Sequence, residues 1–149
     1  MRNITQKGLN LIKRFEGFYP NIYLCPAGYP TIGYGHLVRP GEEKVFEGGI
    51  PSEKAGEALL LKDLDIAAGS VLRLIHVPLT DEQFDAMVSF TFNLGGGALQ
   101  RSTLRRKINR EEHEEVPEQL MRWVWAGGRK LKGLIRRRKA EADLYHYGT

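Results

Sequence analysis

The feature that most limits how this chain can fold is the uneven placing of its glycines. Seven of the 17 fall between positions 17 and 49, while the residues on either side carry apolar spacing of helical period. Within 18–49, short runs rich in Tyr, Ile and Thr are separated by Pro26-Ala27-Gly28, Arg39-Pro40-Gly41 and Gly48-Gly49. That texture predicts two or three short antiparallel strands joined by tight turns. Ahead of it, Thr5 followed by Leu9, Leu11, Ile12 and Phe15 predicts an amphipathic helix with Thr5 as N-cap, Gly17 as stop and Glu16 at its C-terminal end. Beyond it, Ser52 caps a long helix over about 53–75 that Pro78 terminates. Thr80 and Gln83 form a capping box before Phe84, Met87, Val88, Thr91 and Phe92, with a stop at Gly95-Gly96-Gly97. Three more helices are expected over about 102–109, 117–125 and 134–145. Helix, small sheet and then helices is an α+β arrangement with segregated strands. At 149 residues it fits a single domain, without repeats or a linker.

The net charge of +4 conceals an asymmetry. Residues 1–100 hold 9 Lys and Arg against 11 Asp and Glu, and residues 101–149 hold 13 against 7. The excess peaks over 129–139, where seven basic residues occur without an acid. Such a run is either a solvated helix face or a patch that concentrates polyanions such as an anionic envelope. Arg136-Arg137-Arg138-Lys139 lacks interleaved aromatics and a recognisable DNA-binding helix pair, so no nucleic-acid partner is expected. At helix spacing these cations cannot all face one way. The single cysteine excludes an intramolecular disulfide and points to synthesis in a reducing cytoplasm. No run of about 18 apolar residues exists and no signal-peptide core is visible, so neither a leader nor a membrane anchor is expected.

Candidate chemistry gathers at Glu16, Cys25 and Thr31, nine and then six positions apart. A carboxyl at a helix C-terminus faces the negative end of the macrodipole, and Phe15, Phe18 and Tyr19 around it reduce solvation. Both effects favour the protonated form that a general acid needs. Taken alone, Cys25 is a small buried hydrophobe; in its Cys-Pro-Ala-Gly turn it is instead a surface thiol that can act as a nucleophile or orient a water. Taken alone, Thr31 is an ordinary strand residue. The glycines around it serve turns, because the strand, loop and helix order of a phosphate cradle is missing. His36, His76, His113 and His146 show no metal-ligand spacing, so neither metal nor cofactor is expected. Trp123 and Trp125 are expected in the core at a helix end ahead of Gly127-Gly128.

Together these residues resemble the phage-type lysozymes, the muramidase endolysins of glycoside hydrolase family 24. That family carries a Glu, an Asp or Cys nine residues on and a Thr six further, the latter two within the pattern Tyr-x-Asp/Cys-x-x-Gly-x-x-Thr-Ile-Gly-x-Gly-His. Glu16, Tyr23, Cys25, Gly28, Thr31, Ile32, Gly33, Gly35 and His36 match it. The likeness continues through Phe84-Asp85-Ala86, Phe92-Asn93, Ser102-Thr103-Leu104, Trp123 with Ala126-Gly127, and Gly133-Leu134 with Arg137, Arg138, Glu141 and Leu144. It implies a lysozyme-like α+β fold, with a small antiparallel sheet lobe (about 17–50) and a larger helical lobe (about 76–149 with the N-terminal helix), joined by a long helix (about 52–75). It also implies an endolysin that cleaves the β-1,4 bond between N-acetylmuramic acid and N-acetylglucosamine. In that reading Glu16 is the general acid, Cys25 the second catalytic residue, and Thr31 a holder of the attacking water. Leu37, Phe92 and Asn93 contact sugar, Arg137 pairs with Glu16, and Asp63 pairs with His36. The resemblance further implies a monomer acting on peptidoglycan glycan strands after release from the host cytoplasm through a holin-type pore. Two competing functions are a cationic wall- or membrane-binding protein acting through its basic C-terminal helix without catalysis, and a lytic transglycosylase.

Overall fold

The computed structural model describes residues 2–149. Its contacts group into two compact units, residues 12–65 and residues 2–11 with 66–149. The fold is α+β, with a small antiparallel sheet and predominantly helical remainder.

In residues 12–65, helix α1 (Gln6–Glu16) ends and strands β1 (Tyr19–Leu24), β2 (Pro30–Gly33) and β3 (His36–Leu37) form an antiparallel sheet in that order. Tyr23 pairs with Thr31, and Thr31 with Leu37, so these three side chains share one face of the sheet. Ile12, Ile32, Tyr34, Val38, Leu60 and Leu64 are the buried apolar residues of this unit. Turns carry the chain from Val38 to Ser52, whose hydroxyl accepts the Ala55 N–H at 3.1 Å and so caps α2 (Glu53–Leu74). Lys13 meets Glu57 at 3.0 Å. The Tyr34 hydroxyl donates to Glu53; burial, followed by this partner, pushes the phenol up to about 12.

In the other unit, α3 (Asp81–Leu94) opens on the capping box of Thr80 and Gln83 and packs against α7 (Lys132–Tyr147). Between them run α4 (Gly96–Gln100), α5 (Thr103–Asn109), a 3₁₀ turn (His113–Glu115) and α6 (Val116–Leu120), which also packs on α7. Phe84, Met87, Phe90, Leu99, Leu104, Ile108, Leu120 and Tyr145 are fully buried. At the α1 end of this unit, both the backbone N–H and the hydroxyl of Thr5 donate to Asp85, the former at 3.0 Å. Thr5 thus ties α1 to α3, a role its N-cap position did not reveal. No helix among the described residues is long and apolar enough to cross a membrane.

Three expectations are corrected. The helix placed over 117–125 stops at Leu120, and Trp125-Ala126 (β4) instead pairs with Arg129-Lys130 (β5). Gly127 and Gly128, at φ 58° and 77°, make the two-residue turn with positive φ at both positions that suits a hairpin's twist. Trp125 is consequently 57% exposed rather than in the core, whereas half-buried Trp123 meets Phe90 edge-on at 5.5 Å. The glycine run 95–97 is not purely a stop: Gly96 begins α4, and a Cβ there would lie 2.8 Å from Ser70 Oγ, so close packing on α2 demands glycine.

Candidate active site

Glu16 is the last residue of α1 and is half-buried. Its carboxylate rests on the backbone of Gly35, in the turn between β2 and β3. A Cβ at Gly35 would stand 2.5 Å from Glu16 Oε1 and 2.9 Å from Cδ, and Gly35 has φ 80°, which an L side chain rarely adopts.

Cys25 follows β1 directly and is half-buried. The turn that holds it is closed by Gly28 N–H donating to the Cys25 carbonyl at 2.7 Å and Cys25 N–H donating to the Tyr29 carbonyl at 3.0 Å. That same Tyr29 carbonyl accepts the Thr31 hydroxyl at 2.8 Å, so one backbone group binds both residues into one hairpin. Backbone hydrogen bonding at Tyr29, reinforced at Ala27, Gly28 and the Thr31 side chain, holds the thiol below its ordinary range although burial opposes it. Alkylation of Cys25 by iodoacetamide is therefore expected to half-titrate at a lower pH in the folded chain than in the urea-unfolded chain. Thr31→Val should move that midpoint upward; equal midpoints in the folded and unfolded parent chain would contradict this electrostatics.

Thr31 is 2% exposed and Leu37, its neighbour on the same sheet face, is 54% exposed. The third member of that row, Tyr23, stacks on Tyr19 at 4.1 Å. Burial raises its phenol pKa first, and the charges of Tyr19, Glu16 and Cys25 add to the rise, so Tyr23 lies in the field of both reactive groups. In the sequence it figures only as a motif position. The available signal was its period-2 spacing from Cys25, which puts the two on one side of an extended chain.

His36 is buried, with Nδ1 2.8 Å from Asp63 and Nε2 3.2 Å from Glu42. Glu42 escaped sequence reasoning; it is set by the turn after β3, where Arg39 N–H donates to its Oε1 at 2.8 Å and holds its carboxyl below the usual range. The Asp63 hydrogen bond, against the effect of burial, raises the imidazole pKa. A folded value raised above about 6.5 gives stability that is complete below the unfolded value and lost as pH climbs through the folded one. Denaturant midpoints measured from about pH 5.5 to 8.5 should thus fall with pH. Asp63→Asn should flatten that slope, and an unchanged slope would refute the assignment.

Phe92 and Asn93 sit half-buried in the last turn of α3. The Arg138 Nη2 donates to Asn93 Oδ1 at 2.7 Å. Arg137, 4% exposed, donates through Nη2 to the Ser89 carbonyl at 3.3 Å and has Nε 3.4 Å from Glu141. Glu16, Cys25, Thr31, His36, Leu37 and Asp63 therefore belong to residues 12–65, and Phe92, Asn93 and Arg137 to the other unit. Among the described residues, no three His, Cys, Asp or Glu side chains gather as a metal site.

Chemically, residues 12–65 supply a carboxyl at a helix end, an activated thiol and a hydroxyl in one hairpin. A family model described as phage lysozyme matches residues 13–141. The chain is 38% identical to the endolysin of Bacillus phage B103 over 98% of its own length, spanning 55% of that protein. It is 37% identical to the endolysin of Acyrthosiphon pisum secondary endosymbiont phage 1, over 96% of this chain and 97% of that one. The muramidase domain of SpmX from Asticaccaulis excentricus superposes with a TM-score of 0.85 at 36% identity, covering 97% of this chain and 98% of that one.

Proposed function

Because the chain belongs to the phage lysozyme family, we propose that it is an endolysin that hydrolyses the β-1,4 bond between N-acetylmuramic acid and N-acetylglucosamine in peptidoglycan. The observation that carries the mechanism is the shared Tyr29 carbonyl, which binds Thr31 and Cys25 into one hairpin, together with the lowered thiol. Glu16 gives its proton to the glycosidic oxygen as the bond to the anomeric carbon breaks. With the Thr31 proton on the Tyr29 carbonyl, the Thr31 oxygen and the Cys25 thiolate are both acceptors. A water, the double donor that satisfies such a pair, attacks the anomeric carbon from the opposite face and passes its proton to sulfur. The product is inverted. Retention, by contrast, would require sulfur itself to attack and form a thioglycosyl intermediate.

NMR of the freshly released sugar anomer separates these outcomes, and mass spectrometry separates hydrolysis from the anhydro-sugar products of a lytic transglycosylase. Cys25→Asp should retain lysis of chloroform-permeabilised Gram-negative cells while Cys25→Ala loses most of it. Equal activity of Cys25→Ala and the parent chain would remove Cys25 from the mechanism. By resemblance, Leu37, Phe92 and Asn93 contact the sugars and Arg137 pairs with Glu16. The proposed enzyme acts as a monomer without a cofactor, reaching the wall from the host cytoplasm through a holin-type pore; fractionation with and without a holin tests that route.

The non-catalytic cationic reading is not favoured. Arg137 and Arg138, two of the seven cations in the basic run, are buried on α7 with Glu141, and α7 packs on α3 and α6 rather than standing free. The cations that remain exposed, Arg129, Lys130, Lys132, Arg136 and Lys139, can still steer the enzyme to an anionic envelope. Lysis is then expected to weaken as salt rises through about 0.1 M, where screening acts within about 10 Å.

A further inference from the structure

Asn93 and Arg138 lie 45 positions apart, on α3 and α7. Arg138 is fully buried, and its guanidinium pairs with Glu141, Nη2 donating to Oε2 at 3.1 Å and Nε lying 2.7 Å from Oε1. It also lies 5.3 Å from the Phe90 ring centroid, and Nη1 reaches the Trp123 carbonyl at 3.5 Å. The ion pair with Glu141, the Phe90 ring and the Trp123 carbonyl together hold the group in place, so Nη2 meets Asn93 from a fixed direction. Arginine offers donors and no acceptor. The amide facing it must present its oxygen, a conclusion that rests on chemistry and not on how amide atoms are told apart. The Asn93 NH₂ group is thereby turned away from Arg138, on a residue that keeps partial exposure.

We propose that Arg138 is a positioning residue that makes Asn93 a dedicated hydrogen-bond donor toward the glycan, selecting acceptors such as the acetamido carbonyls of N-acetylated sugars. A freely flipping amide would offer donor and acceptor equally and would discriminate less. The proposal rests on the assignment of Asn93 to sugar binding made above.

Asn93→Asp tests it, because the variant keeps an oxygen toward Arg138 while exchanging the donor for an acceptor. Its melting temperature should match or exceed that of the parent chain. KM for soluble peptidoglycan fragments should rise about tenfold, with kcat within about twofold. An unchanged KM, or a melting temperature as low as that of Asn93→Ala, overturns the proposal. Arg138→Gln lets the amide flip, so that it presents its donor only part of the time; KM should rise by less than in Asn93→Asp, and Asn93→Asp should add less in that background than in the parent chain; a full, additive rise overturns the proposal. If Arg138→Gln does not fold, the Asn93→Asp result decides alone. Glu16→Gln on the same fragments separates this from the muramidase reading. Activity that survives Glu16→Gln removes that reading, whereas Glu16-dependent activity indifferent to Asn93→Asp removes only the role of Arg138.

Discussion

Replacing Gly35 by alanine is expected to cut lysis by at least about 10²-fold, approaching the roughly 10²–10⁴-fold loss that removal of a general acid brings in Glu16→Gln. The added methyl carbon would fall 2.5 Å from Glu16 Oε1, well inside van der Waals contact, at a backbone position with φ 80°. Two responses are open. Either the turn relaxes toward negative φ, displacing the β2–β3 connection, or the Glu16 carboxylate swings away from its seat. Each moves the proton donor, and a displacement of about 1 Å in a reacting group is enough for a 10²-fold loss. The left-handed backbone adds a stability cost on the order of 1–2 kcal/mol. The two effects are separated by comparing lysis rate with melting temperature. Gly41→Ala is the control, because Gly41 also has positive φ, at 93°, but nothing lies within 4 Å of its would-be Cβ. Gly41→Ala should destabilise by a similar amount and leave the rate nearly intact. Equal rate losses in the two variants would show that backbone strain, not the seat of Glu16, accounts for Gly35.

What could be read from the chain was whatever depended on near neighbours. The capping box at Thr80 and Gln83, the Ser52 cap and the three-stranded sheet are set by residues within a few positions of one another. The hairpin over 125–130 failed that test for a different reason. Gly127-Gly128 is a strong hairpin signal, but each flanking strand is only two residues long, too short for period-2 alternation to compete with the helical spacing upstream. Thr5 looked like a plain N-cap because its partner Asp85 is 80 positions away. Asp85 is 1% exposed, and burial raises its carboxyl pKa despite the two Thr5 hydrogen bonds. Glu42 was hidden by its place in an exposed acidic turn, and its pairing with His36 follows only once β3 and the Arg39 N–H are fixed. Of the residues named for chemistry, the turn that holds Cys25 and the strand that holds Thr31 were legible from near neighbours, whereas the tie between Arg138 and Asn93 needs the packing of α3 on α7.

That same packing makes Glu141 the residue whose loss should most damage the fold. Glu141 is fully buried on α7, accepts from Arg138 Nη2 through Oε2, has Oε1 2.7 Å from Arg138 Nε in an ion pair, lies 3.4 Å from Arg137 Nε and accepts the Ser89 hydroxyl. One carboxylate therefore serves two buried guanidiniums. Forming such a cluster gains little, because taking three charges out of water offsets most of their attraction. Breaking it is another matter: Glu141→Ala leaves both cations buried without the anion they share, at about 3–5 kcal/mol. For a chain of this length that corresponds to a fall in melting temperature of roughly 6–20 °C. Glu141→Gln retains the shape and one acceptor oxygen, so it should fall between Glu141→Ala and the parent chain. Replacing Arg138 and Glu141 together with matched apolar residues should recover part of the lost stability, since the penalty belongs to charges that have lost Glu141 and not to the absence of a salt bridge. If that repacked variant still bound Asn93 correctly, KM would stay near its parent value; the loss of Arg138 predicts instead that stability partly returns while KM remains raised. A Glu141→Ala variant as stable as the parent would show that water reaches these guanidiniums and that the cluster is not buried in solution.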